Sequence, residues 1–266
     1  MPLSKNKRTQ IPKFSRTQLE TANRCARALW YGVDYETGNS RLSDAEIMNK
    51  FSTKFISFHK TRTKPKPDIF VVDVKQLIKA SKLSNLFRWI KSMDFRKGID
   101  CLYKDVHKKF LKAQKRPNRT NTYLDAIACV EKLNHGLVKD PRINQYNLAS
   151  RILFFTTPNL QTFNLNGSIA IHFGLQVRAK VHYKEYFELF AQGMITNQTK
   201  LSKYSMPPAR AGLDSVTWNN AKRTDWWRRK VLDLAVLLHV KQNIKVDPNL
   251  LVYIRRQIKL DQLEKI

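Results

Sequence analysis

Acidic residues are scarce in this chain. Its 266 residues carry 21 Asp and Glu against 49 Lys and Arg, a formal charge of +28. Self-repulsion on that scale calls for a polyanionic partner, and nucleic acid leads because neutralised phosphates release counterions. A merely soluble basic protein is the bland alternative. Cysteine is nearly absent too. Cys25, Cys101 and Cys129 are widely spaced with no CxxC pair, which argues against a disulfide framework and a zinc site. Each reads as a small apolar filler. The six histidines occur singly and no carboxylates cluster, so neither a metal nor another cofactor is expected. No apolar run is long enough to span a membrane, and no signal-peptide core follows Met1. The expectation is a soluble cytoplasmic protein, nucleoid-associated if bacterial, with double-stranded DNA as partner and no membrane partner. Oligomeric state stays open.

Helical patterns fill most of what is present. Thr17 with Glu20 forms a capping box ahead of a helix that stops at Gly32, and Ser43 with Glu46 forms a second. After the latter, Ile47, Phe51 and Phe55 recur every four residues. The proline-rich stretch 61–68 is the best internal break. IFVVDV after it suits a short strand or the start of a helix running to Lys79. Further amphipathic helices follow, one of them ended by Gly136, and Trp89 beside Arg88 reads as core. The fold class is therefore all-α, a multi-helix bundle. A mobile basic arm (1–16), an N-terminal helical region (17–135) and a second helical region (136–266) are expected, the last two packed together or standing as separate domains.

The stretch 104–120 concentrates the charge. Lys104, Lys108, Lys112 and Lys115 repeat at three and four and so line one helical face, with Lys109, Arg116 and Arg119 beside them. Such a face is either simply solvated or laid against phosphates, and the overall charge favours phosphates. Arg178, Lys180, Lys203, Arg228 and Arg229 are weaker candidates for the same task.

In the second half, LASRIL leads through FFTTPNLQTF to Asn166 at the mouth of the helix SIAIHFG. This arrangement resembles the core of the helix-hairpin-helix DNA glycosylase superfamily, nearest to the 8-oxoguanine-glycosylase-like fold, over about residues 140–240. The resemblance implies that the helix mouth carries the catalytic aspartate, a position held here by Asn166. The family's lysine would fall near Asn147, which cannot form a Schiff base. The hairpin glycines have no counterpart in PRINQYNLAS. Breaking an N-glycosidic bond builds positive charge on the sugar, which a carboxylate stabilises and an amide does not. Asn166 is thus either a helix cap, a group that positions water, or both.

Asp233 is the carboxylate of this half best placed for burial, with Arg229 as its i−4 partner, and joins Asn166 as a catalytic candidate. Phe163, His172, Trp226 and Trp227 are candidates for the substrate pocket. The two tryptophans could stack on a base, or one could be core and the other half-exposed. What the resemblance implies is a DNA glycosylase that flips and excises a modified base, leaving an abasic site. A role in defence against phages with modified genomes follows by analogy. The alternative is a non-catalytic nucleic-acid-binding protein on the same fold.

Overall fold

The computed structural model describes residues 10–115, 120–140, 144–177, 180–208 and 213–263. Among them the chain is all-α, apart from a two-residue antiparallel ladder, β1 (Gln176–Val177) with β2 (Lys180–Val181). The helices are α1 (Arg16–Trp30), α2 (Asp44–Thr61), α3 (Pro67–Ala80), α4 (Phe95–Asp100), α5 (His107–Lys115), α6 (Thr120–Leu137) and α7 (Tyr146–Thr156). They continue as α8 (Gly167–His172), α9 (Tyr183–Thr196), α10 (Gln198–Leu201), α11 (Ser215–Arg223), α12 (Trp226–Val240) and α13 (Leu250–Leu263). No described helix is long and apolar enough to cross a membrane.

One apolar core runs through both helical regions. Helix α12 lies against α1, and α2 lies against α7. Trp30 of α1 meets Trp226 and Trp227 of α12 at ring-centroid distances of 6.0 and 6.1 Å. Close approach of α4 to α6 depends on absent side chains. A Cβ on Gly136 would come within 2.9 Å of the Cys101 Cβ, and one on Gly98 within 2.6 Å of a Leu137 methyl. Gly136 is the penultimate residue of α6, which ends at Leu137, one residue beyond the expected stop.

Several local expectations need correction. Helix α1 is capped by Ser15, whose Oγ accepts the Gln18 N–H at 3.1 Å while Gln18 Oε1 accepts the Ser15 N–H at 2.8 Å. Glu20 instead pairs with Arg16 at 2.7 Å. The second box, Ser43 with Glu46, forms as read. IFVVDV is helical throughout: Pro67 opens α3, and Phe70, Val74, Leu77 and Ile78 are buried at helical spacing. Residues 11–16 are not a mobile arm. Ile11 and Phe14 are buried, the Phe14 N–H donates to Asn197 Oδ1 at 2.9 Å, and Lys200 Nζ donates to the Phe14 carbonyl at 2.6 Å. Residues 1–9 lie outside the described residues. The segment around Trp89 is a 3-10 run, Ser84–Ser92, that buries Leu86 and leaves Trp89 exposed. Trp89 is thus not core.

His59 on α2 stacks on Phe110 of α5 at 4.7 Å and meets Phe55 edge-on at 4.7 Å. Neither ring nitrogen has a hydrogen-bond partner among the described residues. Burial first, then the nearby His107 and Arg62, push its pKa from 6.5 down to about 4. The unfolded chain therefore takes up this proton at higher pH than the folded one. Stability from a neutral His59 is complete above about pH 6.5 and is lost as the pH falls towards 4. Between about pH 7 and pH 4.5 the melting temperature should drop by several degrees through this group, and His59→Phe should flatten that part of the profile. An unchanged slope in the variant would place the acid sensitivity elsewhere.

Candidate functional site

The segment between α7 and α8, residues 157–166, is buried along almost its whole length although six of its ten residues are polar. A buried loop must find partners for its backbone groups, and here they come from three helices. From α9, Tyr183 Oη donates to the Phe163 carbonyl at 2.9 Å and accepts the Phe163 N–H at 3.0 Å. One turn on, Tyr186 Oη donates to the Asn164 carbonyl at 2.8 Å and accepts the Asn166 N–H at 3.3 Å. From α7, Ser150 Oγ accepts the Leu165 N–H at 3.0 Å. From α12, the Arg229 guanidinium donates to the carbonyls of Thr162 and Pro158, the latter at 3.0 Å. Gln161 holds a left-handed backbone, φ 51°, just after the 3-10 turn Pro158–Leu160.

So anchored, the loop delivers Asn166 to the mouth of α8. Asn166 Oδ1 accepts the N–H groups of Ser168 at 3.0 Å and Ile169 at 3.4 Å. The cap reading is met, and the side-chain carbonyl that could have oriented a water is already engaged. Asn166→Ala should cost about 1 kcal/mol of stability and Asn166→Ser much less. Equal losses in urea unfolding would show that capping is not what the amide contributes.

Asn166 also borders a cleft of about 360 Å³ between the ends of α1 and α3, the first turns of α7 and α8, and α12. Asn147, Arg151, Lys230 and Asp233 line the same cleft. Residues 147, 151, 166 and 233, distant in sequence, thus share one cavity. Asp233 is only 9% exposed. Burial raises its pKa against the pull of Arg151 and Lys230 and of the Asn164 amide, which donates to Asp233 Oδ2 at 3.4 Å. Lys230 is itself buried and bonded to Asp44 at 2.8 Å. Arg151 donates no side-chain hydrogen bond among the described residues, and its Nε is buried without a partner. On the rim, Lys82 bridges Asp34 and Glu36 at 3.0 and 2.8 Å.

The remaining pocket candidates lie elsewhere. Trp226 is fully buried with its Nε1 donating to the Phe154 carbonyl at 2.8 Å, and Trp227 is buried with its Nε1 donating to Asn23 at 3.0 Å. Neither can stack on a base, because their faces are spent on the core. Phe163 packs against Phe187 and Phe190, away from the cleft. His172 is exposed on the last turn of α8, edge-on to His239 at 6.0 Å. Arg229 is buried, so it contacts no phosphate, and it bonds loop carbonyls, not Asp233.

Of the basic residues, Lys104, Lys108, Lys112, Lys115 and Lys203 are exposed. Lys104 lies in a π-helical turn (Cys101–Asp105) ahead of α5, where Lys108, Lys112 and Lys115 flank a shallow groove with Leu111. Lys109 and Lys112 share Asp125 at 2.9 and 3.5 Å, and Arg228 pairs with Asp225 at 2.8 Å. Arg116, Arg119 and Arg178 lie outside the described residues, as does the side chain of Lys180.

Sequence reasoning missed Tyr183, Tyr186 and Arg151. The i, i+3 spacing of the tyrosines and the one basic residue in the apolar run of α7 were the signals that could have found them. Among the described residues no three of His, Cys, Asp and Glu gather closely enough to hold a metal ion. No family model, no curated protein and no solved structure matches the chain.

Proposed function

We propose that this is a DNA-binding protein of the glycosylase type, which draws a nucleotide out of the duplex into the cleft of Asp233 and hydrolyses its N-glycosidic bond. The observation that carries the reading is the convergence of Asp233, Arg151, Asn147 and Asn166 on one cavity. The chain's +28 charge supplies the hold on phosphates. A space of about 360 Å³ is on the order of a dozen water volumes, room for a base with a bulky substituent such as phage genomes carry.

In this reading Asp233 does what the helix-mouth residue does not. Its carboxylate stabilises positive charge on the sugar and takes a proton from a water whose oxygen bonds to C1′. The C1′–N bond breaks with its electron pair on the base, which takes up a proton from solvent as it leaves. Arg151 meets an anionic oxygen of the nucleotide, and the Asn166 and Asn147 amides read the base edge. Asn147 stands where the family's Schiff-base lysine would be, and Lys230 is held by Asp44, so the product is an abasic site and not a cut strand.

The test is an abasic-site assay with EDTA present, on duplexes containing ordinary, damaged and phage-type modified bases. Alkali-dependent breaks on one substrate are expected, with binding that weakens steeply as salt rises. Replacing Lys104, Lys108 and Lys115 together by Gln should lower the salt slope by about one unit for each of these lysines that neutralises a phosphate. Tight salt-sensitive binding with no breaks on any substrate would favour the second reading, a binding protein without chemistry. The engagement of Asn166 as a cap is the observation on that side.

A further inference from the structure

The 3-10 run that begins at the cleft rim carries two large aromatic side chains into solvent. Phe87 is 42% and Trp89 44% exposed. Leu86 is buried and Ile90 partly buried, so the segment is anchored to the core while residues 87–89 face out. Exposed aromatic side chains of this size, paired on a firmly held segment, are costly to leave in water without a use.

Two features identify the use. First, Arg88 and Lys91 are exposed among them and form no ion pair among the described residues, while the nearby acid Asp94 is occupied capping α4 through the Lys97 N–H at 2.9 Å. Aromatic faces interleaved with exposed cations suit stacked bases joined by phosphates, and suit an acidic protein or an uncharged surface less well. Second, the segment is continuous with the cleft. Ala80, Ser81, Lys82, Leu83 and Asn85 line it, and Phe87 and Trp89 follow two and four residues beyond Asn85. At about 2 Å of rise per residue in a 3-10 helix, they stand roughly 4 and 8 Å along the segment from Asn85, a reach of one to two base steps.

From this we infer that Phe87 and Trp89 are a base-stacking element, which lies on the bases flanking the nucleotide taken into the cleft and replaces the stacking that nucleotide gives up. The inference rests on the proposed DNA-binding reading but not on its chemistry. Lys82, with its left-handed backbone (φ 53°) and its bonds to Asp34 and Glu36, fixes where the segment leaves the rim. The charged residues meet phosphate, and the rings meet bases.

Intrinsic fluorescence tests it. Trp30, Trp226 and Trp227 are buried and Trp218 is half-buried, which leaves Trp89 as the exposed reporter among the five tryptophans. The full chain is titrated with a short duplex carrying one tetrahydrofuran gap, with the fully paired duplex and with single-stranded oligothymidine. The gapped duplex should quench emission most. Trp89→Leu should remove most of that quenching and weaken gapped-duplex binding roughly tenfold, with an unchanged salt slope because the substitution removes no cation. Phe87→Leu should weaken binding while leaving the quenching, and both variants should keep the wild-type melting temperature. Quenching that persists in Trp89→Leu, wild-type affinity for the gapped duplex in both variants, or a response to anionic vesicles and not to nucleic acid would each overturn the inference. Failure of the wild type to bind any nucleic acid would overturn the proposed function with it. Quenching without base release would remove only the chemistry.

Discussion

Asp233→Asn should slow base release severely and at the same time make the protein more stable. The carboxylate is buried, and desolvation raises its pKa against the attraction of Arg151 and Lys230. The unfolded chain therefore loses this proton at lower pH than the folded one. Any stability that the group contributes is present below the ordinary carboxylate pKa and declines as the pH rises through the folded value. At neutral pH the ionised group is a net cost, and an amide of the same shape removes it. Lys230 keeps its bond to Asp44, so no buried cation is stranded on that side.

A gain of about 1 kcal/mol is expected, in line with substitutions that relieve a strained functional site. Base release should fall by a factor on the order of 10³, the usual loss when a charge-stabilising group is removed from a reaction centre. For the wild type, the acidic limb of the rate profile should lie above the ordinary carboxylate range. Differential scanning calorimetry at neutral pH checks the first part, and single-turnover excision across pH checks the second. A destabilised Asp233→Asn would mean that its attraction to Arg151 and Lys230 outweighs the burial cost. A variant that keeps full rate would remove Asp233 from the chemistry.

Arg229→Met should be the most damaging single change to the fold near the site. Its guanidinium is fully buried, spans the carbonyls of Pro158 and Thr162 and lies over the Phe154 ring at 5.4 Å. Burial pulls its pKa down to about 10, yet it stays charged at neutral pH. Methionine fills much of the volume but leaves two buried carbonyls without donors, at about 1–3 kcal/mol each, partly offset because a buried charge goes too. A net loss of about 3 kcal/mol, roughly 10 °C in melting temperature, is expected. Arg229→Lys should recover little, because an ammonium cannot span two carbonyls as a planar fork does. Since the loop carries Asn164 to Asn166, hydrogen exchange at residues 157–166 should rise well before global unfolding. Protection that stays at the wild-type level would show that Tyr183, Tyr186 and Ser150 suffice to hold the loop.

Arg229 also marks a limit of local pattern. From the sequence, WWRRKV suits either an aromatic and cationic surface cluster or one core and one half-exposed tryptophan. In the fold one face of α12 turns its two tryptophans and Arg229 inward, and Arg228 stays half-exposed. Helical periodicity says which residues share a face, but not whether that face meets a neighbouring helix or water. Trp89 is the opposite case, an aromatic read as core that the 3-10 geometry turns outward.

The sequence by itself determined the helical character, the Ser43 capping box, the strong positive charge and the helix mouth at Asn166. Each of these is local or compositional, decided by spacing, side-chain type or a sum of charges. Tertiary structure decided that Asn147, Arg151, Asn166 and Asp233 share a cleft, because α7, α8 and α12 meet only through long-range burial. It also decided which cations are spent inside, because desolvation admits a charge only where carbonyls or carboxylates wait for it, and that depends on partners many residues away.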